Sequence, residues 1–345
     1  MPQPLISEHC VERLIDANLD RAREGLRVVE DWCRFGLNRK DLVITLKHWR
    51  QQLGQLHLSR YKRARSTATD QGAGLSHPAQ GERSTNEQIL SANCARVQEA
   101  LRVLEEFARN VDRELAASAA EIRYGLYDME VKVLQASQRM RRRQKLQACS
   151  LYLITTPHQN LGAIVAAALE SGIGIVQYRS KEDSDLNHLH HATELAELCR
   201  QHGALFIVND RIDLALAVDA DGVHLGQDDL PSNVARSLLG SERLIGRSTH
   251  CLEQLRRAES EDVDYLGVGP VNRTPTKPNR QPVGLSYVEE ASSTASLPWF
   301  AIGGINTSTL RAVRQAGAQR VAVVTAVIQA SDPGAASREL MAGMS

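Results

Sequence analysis

Leu205-Phe-Ile-Val-Asn-Asp210 and Gly222-Val-His-Leu-Gly-Gln-Asp-Asp229 follow one pattern: a short apolar run that stops abruptly at polar and acidic residues. A run of four or five apolar residues bounded in this way, then followed by helical spacing, reads as a strand buried on both faces of a parallel sheet. The same unit recurs in both directions, as LYLIT from Leu151, GIVQY from Gly174, RLIGRS from Arg243, DYLGVG from Asp264, WFAIGG from Trp299 and RVAVV from Arg320. Eight strand candidates alternating with helical stretches imply a closed parallel sheet. The fold class expected for residues 148–345 is α/β, a (β/α)8 TIM barrel. In such a barrel the chemistry stands on loops after the C-terminal ends of the strands, and the polar signals of this chain fall at those places.

Before residue 148 the texture is different. Apolar residues recur three and four apart, as in the stripe Leu19, Ala22, Leu26, Val29 and Cys33, and predict an all-α N-terminal domain over residues 1–147. A polar stretch from Arg65 to Thr85 divides it, and the two halves repeat. Asn18, Arg21, Glu24, Leu26, Arg27, Val28, Glu30 and Asp31 match Asn93, Arg96, Glu99, Leu101, Arg102, Val103, Glu105 and Glu106 in the same order and spacing. An internal repeat of this kind predicts a pseudo-symmetric pair of helical hairpins sharing one core. The basic run from Arg139 to Lys145 reads as a solvated helix end in a linker of about residues 139–149, entering the barrel at the N-terminal face of its first strand.

Composition narrows the function class. Across 345 residues, 41 Lys and Arg balance 41 Asp and Glu, so wholesale binding to nucleic acid or to an anionic membrane is not expected. The balance hides an asymmetry: residues 1–147 carry 25 basic and 19 acidic side chains, whereas residues 148–345 carry 16 and 22. No apolar run approaches the roughly 18–20 residues of a membrane helix, and the N-terminus lacks the layout of a secretory signal. Cys10, Cys33, Cys94, Cys149, Cys199 and Cys251 are scattered without a C-x-x-C, which fits reduced cytosolic thiols. The expectation is a cytoplasmic protein that acts on small molecules, with homo-oligomerisation left open.

The candidate site follows from the strand ends. After the second strand, Gln177, Arg179 and Lys181 fall on one face by the two-residue period of a strand. A Gln with two cations suits a ligand that has a hydrogen-bonding ring and an anionic tail; a structural ion-pair cluster is the competing reading. Asn209-Asp210 follows the third strand and Gly226-Gln227-Asp228-Asp229 the fourth, so Asp210 and Asp229 lie one βα unit apart. Two hard carboxylates beside cations suit magnesium on a diphosphate, although Asp and Asn also cap helices at such loops. Ser248-Thr249-His250 ends the fifth strand; His250 is given no role. Thr274-Pro275-Thr276-Lys277, after the sixth, offers two hydroxyls and an ammonium as an anion clamp. Gly303-Gly304 after the seventh strand and the backbone around Val324-Thr325 after the eighth match the usual phosphate site of these barrels.

Taken together, Q-x-R-x-K, N-D, H-L-G-Q-D-D, S-T-H, G-x-G-P, T-x-T-K and I-G-G-I, in this order and spacing, closely resemble the thiamine-phosphate synthase (thiamine-phosphate pyrophosphorylase) family over residues 150–345. The helical repeat resembles the extension of the cyanobacterial-type members. The resemblance implies that 4-amino-2-methyl-5-(diphosphooxymethyl)pyrimidine is joined to 4-methyl-5-(2-phosphooxyethyl)thiazole, giving thiamine phosphate and pyrophosphate, with Mg2+ as cofactor. It implies that Gln177, Tyr178, Arg179, Ser180, Lys181, Asn209, Ser248 and Lys277 contact the pyrimidine diphosphate, with Arg179, Lys181, Ser248 and Lys277 catalytic. Asp210 and Asp229 would bind the metal, and Thr274, Thr276, Gly304, Val324 and Thr325 the thiazole phosphate. Two positions depart from the pattern: Asn272 stands where an aromatic is frequent, and Thr325 where Ser is common. A thiazole tautomerase-like barrel shares the fold and the phosphate site, but would have no use for paired carboxylates beside the Q-x-R-x-K cations.

For the helical domain, the repeated charges Arg21, Glu24 and Asp31 and their counterparts Arg96, Glu99 and Glu106, with Arg65, Thr67, Thr69 and Asp70, allow a phosphate site acting on a pyrimidine monophosphate. The plainer reading, ion pairs in a domain that serves assembly or regulation, is preferred.

Overall fold

The computed structural model describes residues 8–71, 82–181, 183–276 and 280–344. Its contacts divide the chain into two compact units, Met1–Ser137 and Gln138–Ser345. The second unit contains the closed parallel barrel: β1 Leu151–Ile154, β2 Ile175–Tyr178, β3 Leu205–Asn209, β4 Gly222–Leu225, β5 Leu244–Thr249, β6 Tyr265–Val268, β7 Trp299–Ile302 and β8 Val321–Val323. Each strand pairs with its sequence neighbour, and β8 closes on β1 through Tyr152 opposite Ala322.

The pleat sorts every strand into two environments. Leu153, Val176, Phe206, Val208, Val223, Ile245, Leu266, Ala301 and Val323 face outward into a core completed by the surrounding helices. The alternate positions, Tyr152, Ile154, Ile175, Leu205, Ile207, Leu244, Tyr265, Phe300 and Ala322, fill the barrel interior. Burial on both sides explains why the strands read as nearly continuous apolar runs.

The first unit is helical: α1 Glu8–Asp31, a π-helical turn Trp32–Gly36, α2 Lys40–Gln55, α3 Ser59–Arg63, α4 Asn86–Ala108 and α5 Arg113–Ala148, whose final turns belong to the second unit. The repeat is visible in atomic detail. Asn18 donates to the Leu14 carbonyl at 2.9 Å and Asn93 to the Ile89 carbonyl at 2.8 Å, and both asparagines are buried. Gly25 lets α1 and α4 approach closely: a Cβ there would lie 2.5 Å from the Val97 side chain and 3.1 Å from the Asn93 carbonyl. One polar cluster is not repeated. The buried Asp16 binds His57 Nε2 at 2.7 Å and Arg65 Nε at 2.7 Å, whereas its counterpart in the second half is Ser91. Burial alone would raise the Asp16 carboxyl, but Arg65 and His57 hold it below its usual range. Arg21, Glu24, Arg96, Glu99 and Glu106 are exposed. Residues 72–81, the centre of the dividing stretch, lie outside the described residues.

The basic run is corrected by the structure. Residues 139–145 are helix, and their arginines are not simply solvated. Arg139 Nε and Arg143 Nε contact Asp264 Oδ1 at 2.9 and 2.5 Å, while Arg142 Nε donates to Asp221 Oδ1 at 2.8 Å. Asp221 and Asp264 stand immediately before β4 and β6, and Leu146 packs with the interior residues Tyr152 and Ile175. The final turns of α5 thus cover the N-terminal end of the barrel, and the contact division falls between Ser137 and Gln138. Charge alone reads as solvated; the acidic partners come from distant sequence. The Asp264 side chain is fully buried and also accepts from Arg236 and the Ile245 N–H. Asp264→Ala leaves these donors without their acceptor and is expected to cost about 3–5 kcal/mol, read as a lower denaturation midpoint of the barrel transition with the helical unit unmoved.

Candidate active site

The C-terminal mouth of the barrel opens into a cavity of about 580 Å3, within the usual range for small-ligand sites. Gln177, Arg179 and Lys181 line it from β2 and its loop, Asn209 and Asp210 from β3, Asp229 from the β4 loop, and Ser248 from β5. Thr274, Thr276, Gly304, Val324 and Thr325 line it from the segments after β6, β7 and β8. The structure therefore brings together twelve of the fifteen residues expected there. Lys277 lies outside the described residues. Tyr178 and Ser180 are the exceptions, and do not line this cavity. Tyr178 takes the outward position of β2, where its hydroxyl meets His188 Nδ1 at 3.0 Å, and Ser180 lines a separate cleft with Pro157 and His158. The two-residue period that places Gln177 and Arg179 inward places these two away from the mouth.

The local geometry is held from several sides. Asp210 adopts φ of 60°, a left-handed conformation that Asp tolerates better than most residues, and its N–H donates to the His224 carbonyl at 2.9 Å. Asn209 Nδ2 donates to Asp210 Oδ2 at 2.6 Å, and Asp229 Oδ2 accepts the Gly226 N–H at 2.5 Å. Arg179 Nη2 is buried with no hydrogen-bond partner among the described residues. Burial pushes the Arg179 guanidinium below its usual value, and the Asp210 carboxylate opposes that shift. A buried, unpartnered guanidinium nitrogen is costly unless an anion supplies the acceptor.

On the far strands, Gly303 and Gly304 have φ of 108° and 60°. A Cβ at Gly303 would meet Pro270 at 2.5 Å, and one at Gly304 the Arg273 carbonyl at 2.6 Å. Asn272 ties this turn to the β6 loop: its N–H donates to the Gly303 carbonyl at 3.0 Å, and its amide reaches the Gly303 and Gly304 carbonyls at 3.3 and 3.4 Å. The departure at position 272 thus supplies hydrogen bonds that an aromatic could not. Thr274 and Thr276 bring their hydroxyl oxygens within 2.8 Å of each other.

Sequence reasoning missed the floor. Tyr152, His224, Tyr265 and Phe300 line the cavity from inward positions of β1, β4, β6 and β7, as does Arg280 from the loop after β6. The strand period could have found His224, since GVHL puts it opposite in sense to Val223 and Leu225. Read as apolar runs, the tyrosines announced core packing only.

Fold and site define a (β/α)8 barrel whose mouth places buried and exposed cations beside two carboxylates, across from a glycine turn suited to phosphate. The family model described as thiamine monophosphate synthase matches residues 151–327, and a second model, the ThiD2 family, matches residues 13–132. A thiamine-phosphate synthase of Prochlorococcus marinus strain MIT 9303 is 68% identical over 99% of this chain and 98% of its own length. One from Synechococcus sp. strain WH7803 is 60% identical over 99% and 98%. Among solved structures, a thiamine phosphate pyrophosphorylase from Pyrococcus furiosus is 36% identical, with a TM-score of 0.54, covering 59% of this chain and 97% of its own. The chain belongs to the thiamine monophosphate synthase family.

Gly304→Ala tests the turn: the added Cβ meets the Arg273 carbonyl in a left-handed backbone, so a loss of about 1–3 kcal/mol is expected. Titration with the thiazole phosphate should show weakened binding while the pyrimidine diphosphate binds as before.

Proposed function

We propose that this cavity joins the two halves of thiamine phosphate. The pyrimidine diphosphate lies over β2 to β5, and the thiazole phosphate sits against the Gly303-Gly304 turn and Thr274, Thr276 and Thr325. The carrying observation is that Arg179, Lys181, Asp210 and Asp229 line the same cavity as that turn. The 4-amino group of the pyrimidine pushes electron density toward the exocyclic carbon as the bond to the diphosphate oxygen breaks. Pyrophosphate leaves with the electron pair, and the thiazole nitrogen supplies the pair for the new carbon–nitrogen bond. No protein nucleophile is required. Arg179 and Lys181 stabilise charge accumulating on the leaving oxygens, and the unpartnered Arg179 Nη2 has hydrogen-bonding capacity to spare for that task. Gln177 and Ser248 orient the pyrimidine ring, so the two reacting atoms meet in a fixed geometry.

Asp210 and Asp229 suit magnesium. Both are hard oxygen ligands lining the mouth, and among the described residues no third His, Cys, Asp or Glu closes a full protein shell around them. That leaves coordination positions for water and substrate phosphate, the arrangement magnesium prefers. Bound there, the ion would neutralise the diphosphate and make it a better leaving group. Asp210→Asn and Asp229→Asn keep size and hydrogen bonding but remove charge. Each is expected to lower turnover at least roughly 10²-fold, with the loss steepest at low magnesium and the melting temperature nearly unchanged. A melting collapse in step with activity would make these carboxylates structural.

Every described residue of this site comes from the second unit. Residues 138–345 expressed alone should therefore make thiamine phosphate at a rate within a few-fold of the full chain. A folded but inert fragment would overturn the division.

A further inference from the structure

The barrel floor contains an unbroken chain of polar side chains from five strands. Gln177 Nε2 donates to the Tyr152 hydroxyl at 2.7 Å; that hydroxyl lies 3.0 Å from the Tyr265 hydroxyl, which lies 3.2 Å from His224 Nδ1. His224 Nε2 in turn lies 2.9 Å from Ser248 Oγ, at the cavity wall. Gly246 makes room for the central link, because a Cβ there would lie 2.2 Å from the Tyr265 ring and 2.5 Å from His224 Nδ1. Tyr152 and Tyr265 are almost completely buried, and burial raises both phenols, so both remain neutral hydroxyls.

Counting hydrogens gives the chain a direction. The Tyr152 oxygen accepts from Gln177, so its own hydrogen has one acceptor among the described residues, the Tyr265 oxygen. The Tyr265 hydrogen then goes to His224 Nδ1. An accepting Nδ1 means that neutral His224 carries its proton on Nε2. Nε2–H donates to Ser248 Oγ, which leaves the serine hydrogen to be given into the cavity. With Gln177 Nε2 turned to Tyr152, the opposite direction, in which Nδ1–H donates to Tyr265, would leave the buried Tyr152 hydrogen without an acceptor, an arrangement buried polar groups avoid.

We propose that Tyr265, backed by Tyr152 and Gln177, is a positioning residue that holds His224 in the Nε2–H tautomer and so makes Ser248 a hydrogen-bond donor to substrate. The ligand facing Ser248 must then present an acceptor, such as a ring nitrogen, and a ring with a donor at that place is rejected. The substrate part of this inference rests on the synthase reading; the tautomer does not.

Nitrogen-15 NMR of the free, full-length protein at mildly alkaline pH, with His224 assigned by its loss in His224→Gln, reads the tautomer directly. The expected spectrum shows a bare Nδ1 and a protonated Nε2; a protonated Nδ1 overturns the proposal without any further variant. Tyr265→Phe removes the donor to Nδ1 and should give a tautomer mixture. Tyr152→Phe leaves Tyr265 its acceptor and should keep the Nε2–H form. An unchanged spectrum in Tyr265→Phe, or equal loss in both variants, overturns the proposal. In turnover, Tyr265→Phe should lower kcat on the order of tenfold while the KM for the thiazole phosphate stays put. A correct tautomer in a protein that makes no thiamine phosphate would refute the synthase reading alone.

Discussion

A closed parallel sheet has one inside, and every strand must alternate between that inside and the outer core. This constraint governs the whole barrel. Val223 and Leu225 pack outward because the helices cover them, and His224 between them has nowhere to go but the interior. The same alternation sends Gln177 inward and Tyr178 outward, although they are neighbours. Ser248 and Thr249 divide in the same way: one meets His224, the other accepts from Tyr287 behind the sheet at 2.7 Å.

The two ends of the barrel use similar charges differently. At the N-terminal end, Asp264 is enclosed by Arg139, Arg143 and Arg236, all from within the unit. Breaking such a buried cluster is costly even where its net contribution to stability is small. At the mouth, Arg179 keeps a buried nitrogen without a partner, and Asp210 is held in a left-handed backbone conformation. Such unspent hydrogen-bonding capacity and local strain at the mouth lie where a ligand can offset them.

The helical unit shows how a repeat keeps its frame and changes its content. Asn18 and Asn93 make the same bond one turn back, and Glu30 and Glu105 each bind an arginine from the helix packed against them, Arg50 at 2.7 Å and Arg123 at 2.9 Å. These shared contacts fix how the hairpins pack. The cluster of Asp16, His57 and Arg65 exists in one half alone, so the two copies are no longer chemically equivalent.

The strand order, the barrel class and the loop positions of Arg179, Asp210, Asp229 and Gly304 were legible in the chain because they depend on short-range pattern: apolar runs, their abrupt ends, and a period of two or of 3.6. The repeat was legible for the same reason. What needed the tertiary structure were pairings between residues far apart in sequence. Nothing local distinguishes Tyr152 and Tyr265 from ordinary core tyrosines, yet their hydroxyls meet across the barrel, 113 residues apart. Nothing local tells Arg139 from a solvated arginine, since its acceptors Asp262 and Asp264 arrive beneath the sixth strand. Sequence alone determined which side chains each strand offers to the interior; closure of the sheet decided which of them touch, because only closure brings β1 and β6 within hydrogen-bond reach across the floor.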